Sequence, residues 1–303
     1  MSGEWEVFSQ HVARSDQRQL FLSQSNQPSS PSEVSTVCVS TRVGEVQTSM
    51  SFKHVAIEPH GTITVMRLNR PPANALELEI AQEFEAAFDV TMQDPPKAIV
   101  VTGTGSFFSG GLDLKVVPSY FSEQQRAFLT ILNRAAGKLY GCPIPVVGGI
   151  NGHAIAGGFV FTLATDYRVG PTGAAQFGLT EARAGIPFPA AAMAIVHAEL
   201  APQDVRYTTI YARRFGSDEA RLRGVLDELQ PPAAVLERAL EVARDMATMP
   251  PDSYQRIKRQ VRQAAITRIE EINATASDPM LQAWVSPDAL KASASVLRGS
   301  GGT

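Results

Sequence analysis

Cysteine is nearly missing from this chain: Cys38 and Cys142 are the two in 303 residues. That is too few for a disulfide framework, and the pair has no metal-binding spacing. A reducing compartment is expected. His11, His54, His60, His153 and His197 form no H-x-x-x-H or H-E-x-x-H arrangement, so no metal site is expected. No apolar run approaches the roughly 18 to 20 residues needed to cross a bilayer, so a soluble protein is expected, with no membrane partner. Excess charge of either sign is also lacking, the formal net charge being −3. With no large Lys/Arg cluster, a nucleic-acid partner is not expected. The densest basic stretch, Arg256-Ile-Lys-Arg-Gln-Val-Arg262, reads as a solvated helix face. What is present, 44% hydrophobic and 19% charged residues, is ordinary for a globular protein able to bury a sizeable core.

Residues 1–50 differ from the rest. They lack lysine, and Gln24-Ser-Asn-Gln-Pro-Ser-Ser-Pro-Ser-Glu33 is polar and rich in Pro and Ser. Such a composition buries too little apolar area to offset ordering entropy, so a disordered leader is expected, with Met50 as an alternative start. Glu4, Glu6 and Asp16 count against a transit peptide. A cytoplasmic address is expected; mitochondrial and peroxisomal ones stay open, although Gly301-Gly-Thr303 is no Ser-Lys-Leu signal.

From residue 53 the chain reads as an α/β unit. β-rich runs at 54–58 and 62–68 flank Pro59-His-Gly61, a hairpin signal. Leu76, Ile80, Phe84 and Phe88 share one stripe of a helix over 74–90. A continuous apolar strand follows at 97–102, then a helix over 124–140, a strand at 146–150, a helix at 157–165 and strands at 167–169 and 175–177. Beyond Pro187 the reading is almost wholly helical, with segments at 190–200, 202–212, 218–222, 232–249, 251–268 and 280–298. The ββα rhythm with a helical tail argues for a layered sheet-and-helix core.

Two glycine-rich segments carry the chemistry. Ser106-Phe-Phe-Ser-Gly-Gly-Leu-Asp-Leu114 follows the strand Ala98-Ile-Val-Val-Thr-Gly103, and Gly152-His-Ala-Ile-Ala-Gly-Gly-Phe-Val160 follows Pro145-Val-Val-Gly-Gly-Ile150. Glycine lets a backbone approach a ligand closely, and two such loops meeting would make an oxyanion hole. The first loop has Phe108 where a dinucleotide fingerprint needs its third glycine, lacks the Gly-Lys-Ser/Thr of a phosphate loop, and does not place Ser109 in a G-x-S-x-G elbow. A plain tight turn, and close strand–helix packing at Gly157-Gly158, remain open readings. His153 reads as a packed, hydrogen-bonded loop residue.

Phe108-Ser-Gly-Gly-Leu-Asp-Leu114, Asn151-Gly-His-Ala-Ile-Ala-Gly-Gly158, Thr165-Asp-Tyr-Arg168 and Phe177-Gly-Leu-Thr-Glu-Ala-Arg-Ala-Gly-Ile-Pro187 together resemble the enoyl-CoA hydratase/isomerase (crotonase) family. The resemblance implies a crotonase-like ββα spiral core over 51–230, a helical C-terminal trimerisation part over 231–303, and a homotrimer or hexamer. It implies an acyl-CoA substrate and no separate cofactor, CoA being part of the substrate. The thioester carbonyl would sit between the N–H groups of Leu112 and Gly157. Gly110, Gly111, Leu112, Asp113 and Leu114 would contact the ligand, with Lys115 near the pantetheine or nucleotide. Asp113 reads more simply as bracing its own loop, and Asp166 as structural.

Hydratases of the family carry two glutamates that position water; here one position is Glu181 and the other is Val160. That departure is similar to the Δ3,Δ2-enoyl-CoA isomerases, which use one carboxylate as a mobile base. The resemblance therefore implies isomerisation of 3-enoyl-CoA to 2-enoyl-CoA, with Glu181 as acid and base. Phe177, Leu179, Ile186, Pro187 and Phe188 would surround Glu181 with apolar groups and raise its pKa. The plainer reading is that Glu181 caps or salt-bridges a helix. Open alternatives for the function are a thioester hydrolase or decarboxylase on the same oxyanion hole, a weak hydratase, and a non-catalytic acyl-CoA-binding module. Tyr120, Phe121 and Phe128 are candidates to shape the acyl pocket, with core packing the competing reading.

Overall fold

The computed structural model describes residues 52–281, 284–285 and 291–292. The expected leader and most of the expected helix over 280–298 lie outside the described residues.

The chain repeats one unit: a strand, a second strand, then a helix. The first unit is β1 (Val55–His60), β2 (Ile63–Leu68) and α1 (Leu78–Thr91); the second is β3 (Ala98–Gly103), β4 (Phe107–Ser109) and α2 (Ser122–Tyr140). The third is β5 (Val146–Gly149), β6 (His153–Ile155) and α3 (Gly157–Leu163). The fourth is β7 (Tyr167–Pro171), β8 (Gln176–Gly178) and α4 (Glu181–Ala184), continued by α5 (Ala190–Glu199) and α6 (Pro202–Thr209). β9 (Phe215–Gly216), α7 (Ser217–Leu222), β10 (Glu228–Gln230), α8 (Val235–Met246) and α9 (Pro251–Thr275) complete the described elements.

The strands sort into two sheets. A six-stranded sheet runs β1-β2-β3-β5-β7-β10, and a four-stranded one runs β4-β6-β8-β9. β1 and β2 pair antiparallel, and the rest of the large sheet is parallel. β3 is buried along its whole length because both faces are covered. Ile99 and Val101 enter one core beside Phe84 and Leu139, whereas Ala98 and Val100 enter a second one beneath Ala239, Leu240 and Ala243 of α8. Alternate residues of a strand face opposite sides, so one apolar run serves two cores.

Three expectations are corrected. α1 begins at Leu78, not at residue 74. Asn74 instead adopts a left-handed turn (φ 47°) and donates its side-chain amide to the carbonyls of Thr104 and Phe107 at 3.0 and 2.8 Å. The Glu77 carboxylate then caps the helix, accepting from the N–H groups of Glu79 and Ile80. The region beyond Pro187 also contributes two strands, β9 and β10, the latter completing the large sheet. Both are too short, and Glu-Leu-Gln too poor in β-branched residues, to give a periodic signal.

Finally, the basic stretch of α9 is not wholly solvated. Lys258 and Arg262 are buried and grip the two Asp166 oxygens at 2.7 Å each. Tyr254 OH and the Val146 N–H donate to the same carboxylate. Asp166 thus fastens α9 to the start of β5, as a structural residue. Removing it leaves buried Lys258 without a carboxylate and Arg262 with Glu199 alone, at 3.2 Å, so Asp166→Ala is expected to lower unfolding free energy by about 3–5 kcal/mol, read by denaturant titration.

Candidate active site

β4, β6 and β8 lie side by side and parallel in the small sheet. The chain leaving each of them delivers one of the three expected reactive positions: Leu112 after β4, Gly157 after β6 and Glu181 after β8. All three line a single cavity of about 40 Å³.

Leu112 is held by a parallel bridge to Leu76: the Leu76 N–H donates to the Gly111 carbonyl at 2.7 Å and the Asp113 N–H to the Leu76 carbonyl at 2.8 Å. Both bonds flank Leu112 and leave its own N–H turned away. Gly157 opens α3, where a first-turn N–H has no intrahelical acceptor. Neither N–H has an acceptor among the described residues. The two loops touch: Gly111 has φ +76°, and a Cβ added there would lie 3.0 Å from the Gly157 nitrogen. Ala156, just before Gly157, has φ 53°, a conformation costly for a residue with a Cβ. Gly158 fulfils the packing reading, since a Cβ on it would collide with the Ser109 carbonyl.

Glu181 begins α4 and is 6% exposed. Its Oε2 has no hydrogen-bond partner, and among the described residues no cation pairs with it. The salt-bridge reading therefore fails. Burial pushes its pKa up to about 8, against a smaller downward pull from the N–H groups of Glu181 and Thr180. Val160, Ile186 and Pro187 line the same cavity, and no second titratable side chain does so among the described residues.

A larger groove of about 850 Å³ lies beside the cavity, and Leu112 lines both. Gly110, Asp113, Leu114 and Lys115 line this groove together with Arg70, Arg183, Arg213 and Arg214. Gly111 does not, acting as the bend between them. Asp113 braces its own loop, accepting from Arg70 Nη1 at 2.9 Å and from the Lys115 N–H. The arginines escaped the sequence reading because three separate segments supply them. So did Trp284, which lines the cavity and donates its indole N–H to the Pro187 carbonyl at 2.7 Å.

Other candidates fall outside the cavity. His153 accepts from the Gln176 N–H through Nδ1 and stacks on Phe107, as a packed loop residue. Tyr120 bonds the Leu78 N–H and Glu77, Phe121 is exposed, and Phe128 is core. None of these three lines the cavity. His54, Glu77 and Glu79 bring one donor atom each within 4.8 Å of one another. Glu77 is engaged as the α1 cap and Glu79 in a pair with Lys53 at 3.2 Å, so capping and ion pairing account for the group.

Residues 58–296 match the profile of the enoyl-CoA hydratase/isomerase family. The chain belongs to that family. Carnitinyl-CoA dehydratase of Escherichia coli K12 is 29% identical over 220 residues, covering 70% of this chain and 81% of the dehydratase. The structure of a probable enoyl-CoA hydratase, EchA3, from Mycobacterium tuberculosis is 30% identical with a TM-score of 0.70, over 74% of this chain and 95% of that one. Human mitochondrial Δ3,Δ2-enoyl-CoA isomerase superposes with a TM-score of 0.71 at 23% identity, over 82% of this chain and all (100%) of that one, a likeness of fold. The crotonase fold expected from the motifs is thus the fold observed.

The buried carboxyl has a stability signature. Because the folded-state pKa of Glu181 is raised, its favourable contribution is complete below the unfolded value near 4.5 and is lost as pH rises through about 8. Glu181→Gln is therefore expected to stabilise the protein at pH 9 relative to wild type, by on the order of a few kcal/mol. The gain should vanish near pH 5, as read by denaturant titration at both pH values.

Proposed function

We propose that this chain isomerises 3-enoyl-CoA to 2-enoyl-CoA through a dienolate, with Glu181 as the sole proton carrier. The observation that carries the reading is the lone carboxyl in an otherwise apolar cavity, with Val160 where a second one would stand. The thioester oxygen would accept from the N–H groups of Leu112 and Gly157. Glu181, ionised, takes a proton from C2; the electron pair moves through the C–C bond onto the thioester oxygen. The same carboxyl then returns the proton to C4, and the 2,3 double bond forms as the oxyanion collapses. C2 and C4 lie on one face of the dienolate, so one carboxyl serves both steps.

A pKa near neutrality suits a group that must both accept and release a proton. Two main-chain donors match a charge that appears only during reaction, each worth about 3 kcal/mol in known oxyanion holes. The basic groove suits the phosphates of CoA, with Leu112 at the junction between tail and reacting carbons. Self-association is part of the proposal. Ile257 and Val261, one turn apart and exposed on α9, supply apolar surface for it. No helix among the described residues is long and apolar enough to cross a membrane.

Hydration is the second reading, favoured by the names of the relatives. It needs a held and deprotonated water, for which Val160 offers neither acceptor nor base.

Purified protein given 3-hexenoyl-CoA is expected to form the conjugated 2-enoyl thioester, followed by its ultraviolet absorbance. kcat/KM should rise with pH through about 8, as Glu181 ionises. Glu181→Gln should lower kcat by about 10²- to 10⁴-fold. Crotonyl-CoA hydration should be slow or absent. Absence of the conjugated product, or full activity in Glu181→Gln, overturns the reading.

A further inference from the structure

The cavity beside Glu181 is small, and the bulkiest side chain in its wall is Trp284. Leu112 marks its mouth, because it alone of the reactive positions also lines the open groove. The walls that the groove does not share include Leu132 and Ala136 of α2, Ala192 of α5, and Trp284. At about 40 Å³ the space takes roughly three water-sized groups, enough for the carbons next to the thioester and little more.

Trp284 is the largest of these wall residues and is 2% exposed. Its ring lies 5.8 Å from that of Phe128, and its indole N–H is bonded to Pro187, which also lines the cavity. The segment carrying it is fastened independently. Asp278 accepts from the Asn133 amide at 2.8 Å and the Ala190 N–H at 2.9 Å, while the Val285 N–H donates to Gln125. Trp284 is thus held in the cavity wall by its own hydrogen bond and by anchors in the residues on either side of it.

We infer that Trp284 is a chain-length stop that restricts the substrate to short acyl groups. This rests on the reading that an acyl thioester seats its carbonyl at Leu112 and Gly157. A longer chain would have to displace a buried indole, break its hydrogen bond and disturb the loop following Glu181. Each methylene that finds apolar room is worth ~4-fold in affinity, so removing the indole frees space that only long chains exploit.

Saturated butyryl-CoA and dodecanoyl-CoA are the probes, with dissociation constants measured by calorimetry on wild type, Trp284→Phe and Trp284→Ala. Wild type should bind dodecanoyl-CoA no more tightly than butyryl-CoA. Trp284→Ala should gain at least about tenfold for dodecanoyl-CoA while butyryl-CoA changes little, and Trp284→Phe should fall between. Tight dodecanoyl-CoA binding by wild type overturns the inference without any variant, as does an equal loss for both ligands in a folded Trp284→Phe. Neither probe undergoes proton transfer, so failure of 3-hexenoyl-CoA turnover would strike the isomerase reading and leave this measurement standing.

Discussion

Gly158 carries no side chain, and the Ser109 carbonyl lies where one would project. That contact lets the chain leaving β6 pack against the end of β4, and the arrangement of the site depends on it. Parallel strands place their carboxyl ends along one edge, and ligand sites of α/β sheets gather there. In the small sheet the edge is compact because β4, β6 and β8 are only three residues each. Three successive ββα units thereby bring residues 112, 157 and 181 to one cavity although they are far apart in sequence. The repetition of the unit is the device that assembles the site.

The same edge is where the protein departs from ordinary folding rules. Among the described residues, two main-chain N–H groups lack acceptors, Ala156 adopts a left-handed φ, and a carboxyl is buried without a cation. Each costs free energy, and departures of this kind gather at functional sites. Other buried charges among the described residues have partners of opposite sign or, for Asp278, hydrogen-bond donors. Asp166 meets Lys258, Arg262 and Tyr254, and Arg168 meets Glu199. The contrast between Asp166 and Glu181, both buried acids, separates a structural carboxylate from the one proposed to carry the proton. Asp166 is surrounded by donors that fix its charge, whereas Glu181 meets no cation among the described residues, and burial outweighs the two backbone N–H groups that favour its ionised form.

The long elements and the loop positions were legible because their signals are local. β3 is an unbroken apolar run, and the stripe of Leu76, Ile80, Phe84 and Phe88 identifies α1 even though its first turn belongs to the Glu77 cap. Val160 and Glu181 could be located by motif, and the cavity holds both. What stayed hidden is tertiary. β10 has no periodicity of its own and exists as a strand only because β7 offers an open edge. Lys258 and Arg262 look like solvated charges until Asp166 is placed beneath them. Trp284 belongs to no motif, and the segments before it give no reason to set it in the cavity wall beside Glu181. Arg213 and Arg214 likewise face the groove because the Arg183 side chain bonds the carbonyls of Tyr211 and Ala212 and holds their loop in place.

Names within the family span hydration, dehydration and isomerisation, so overall likeness does not choose among them. The choice falls to the few groups that touch the reacting carbons. Hydration adds oxygen to C3 and requires a water that is both positioned and deprotonated; isomerisation requires only that one proton move from C2 to C4. An apolar side chain at residue 160 removes a hydrogen-bonding partner that such a water would need, and the dry walls of Leu132, Ala136 and Trp284 offer no substitute. Dryness also acts on Glu181 itself, because a carboxyl without solvent or cation is a stronger base than one in water. The residue that withholds water from C3 and the surroundings that make one carboxyl basic are therefore parts of a single arrangement. In the proposed reaction it favours proton transfer over water addition for a reason that lies in side-chain polarity rather than in the fold.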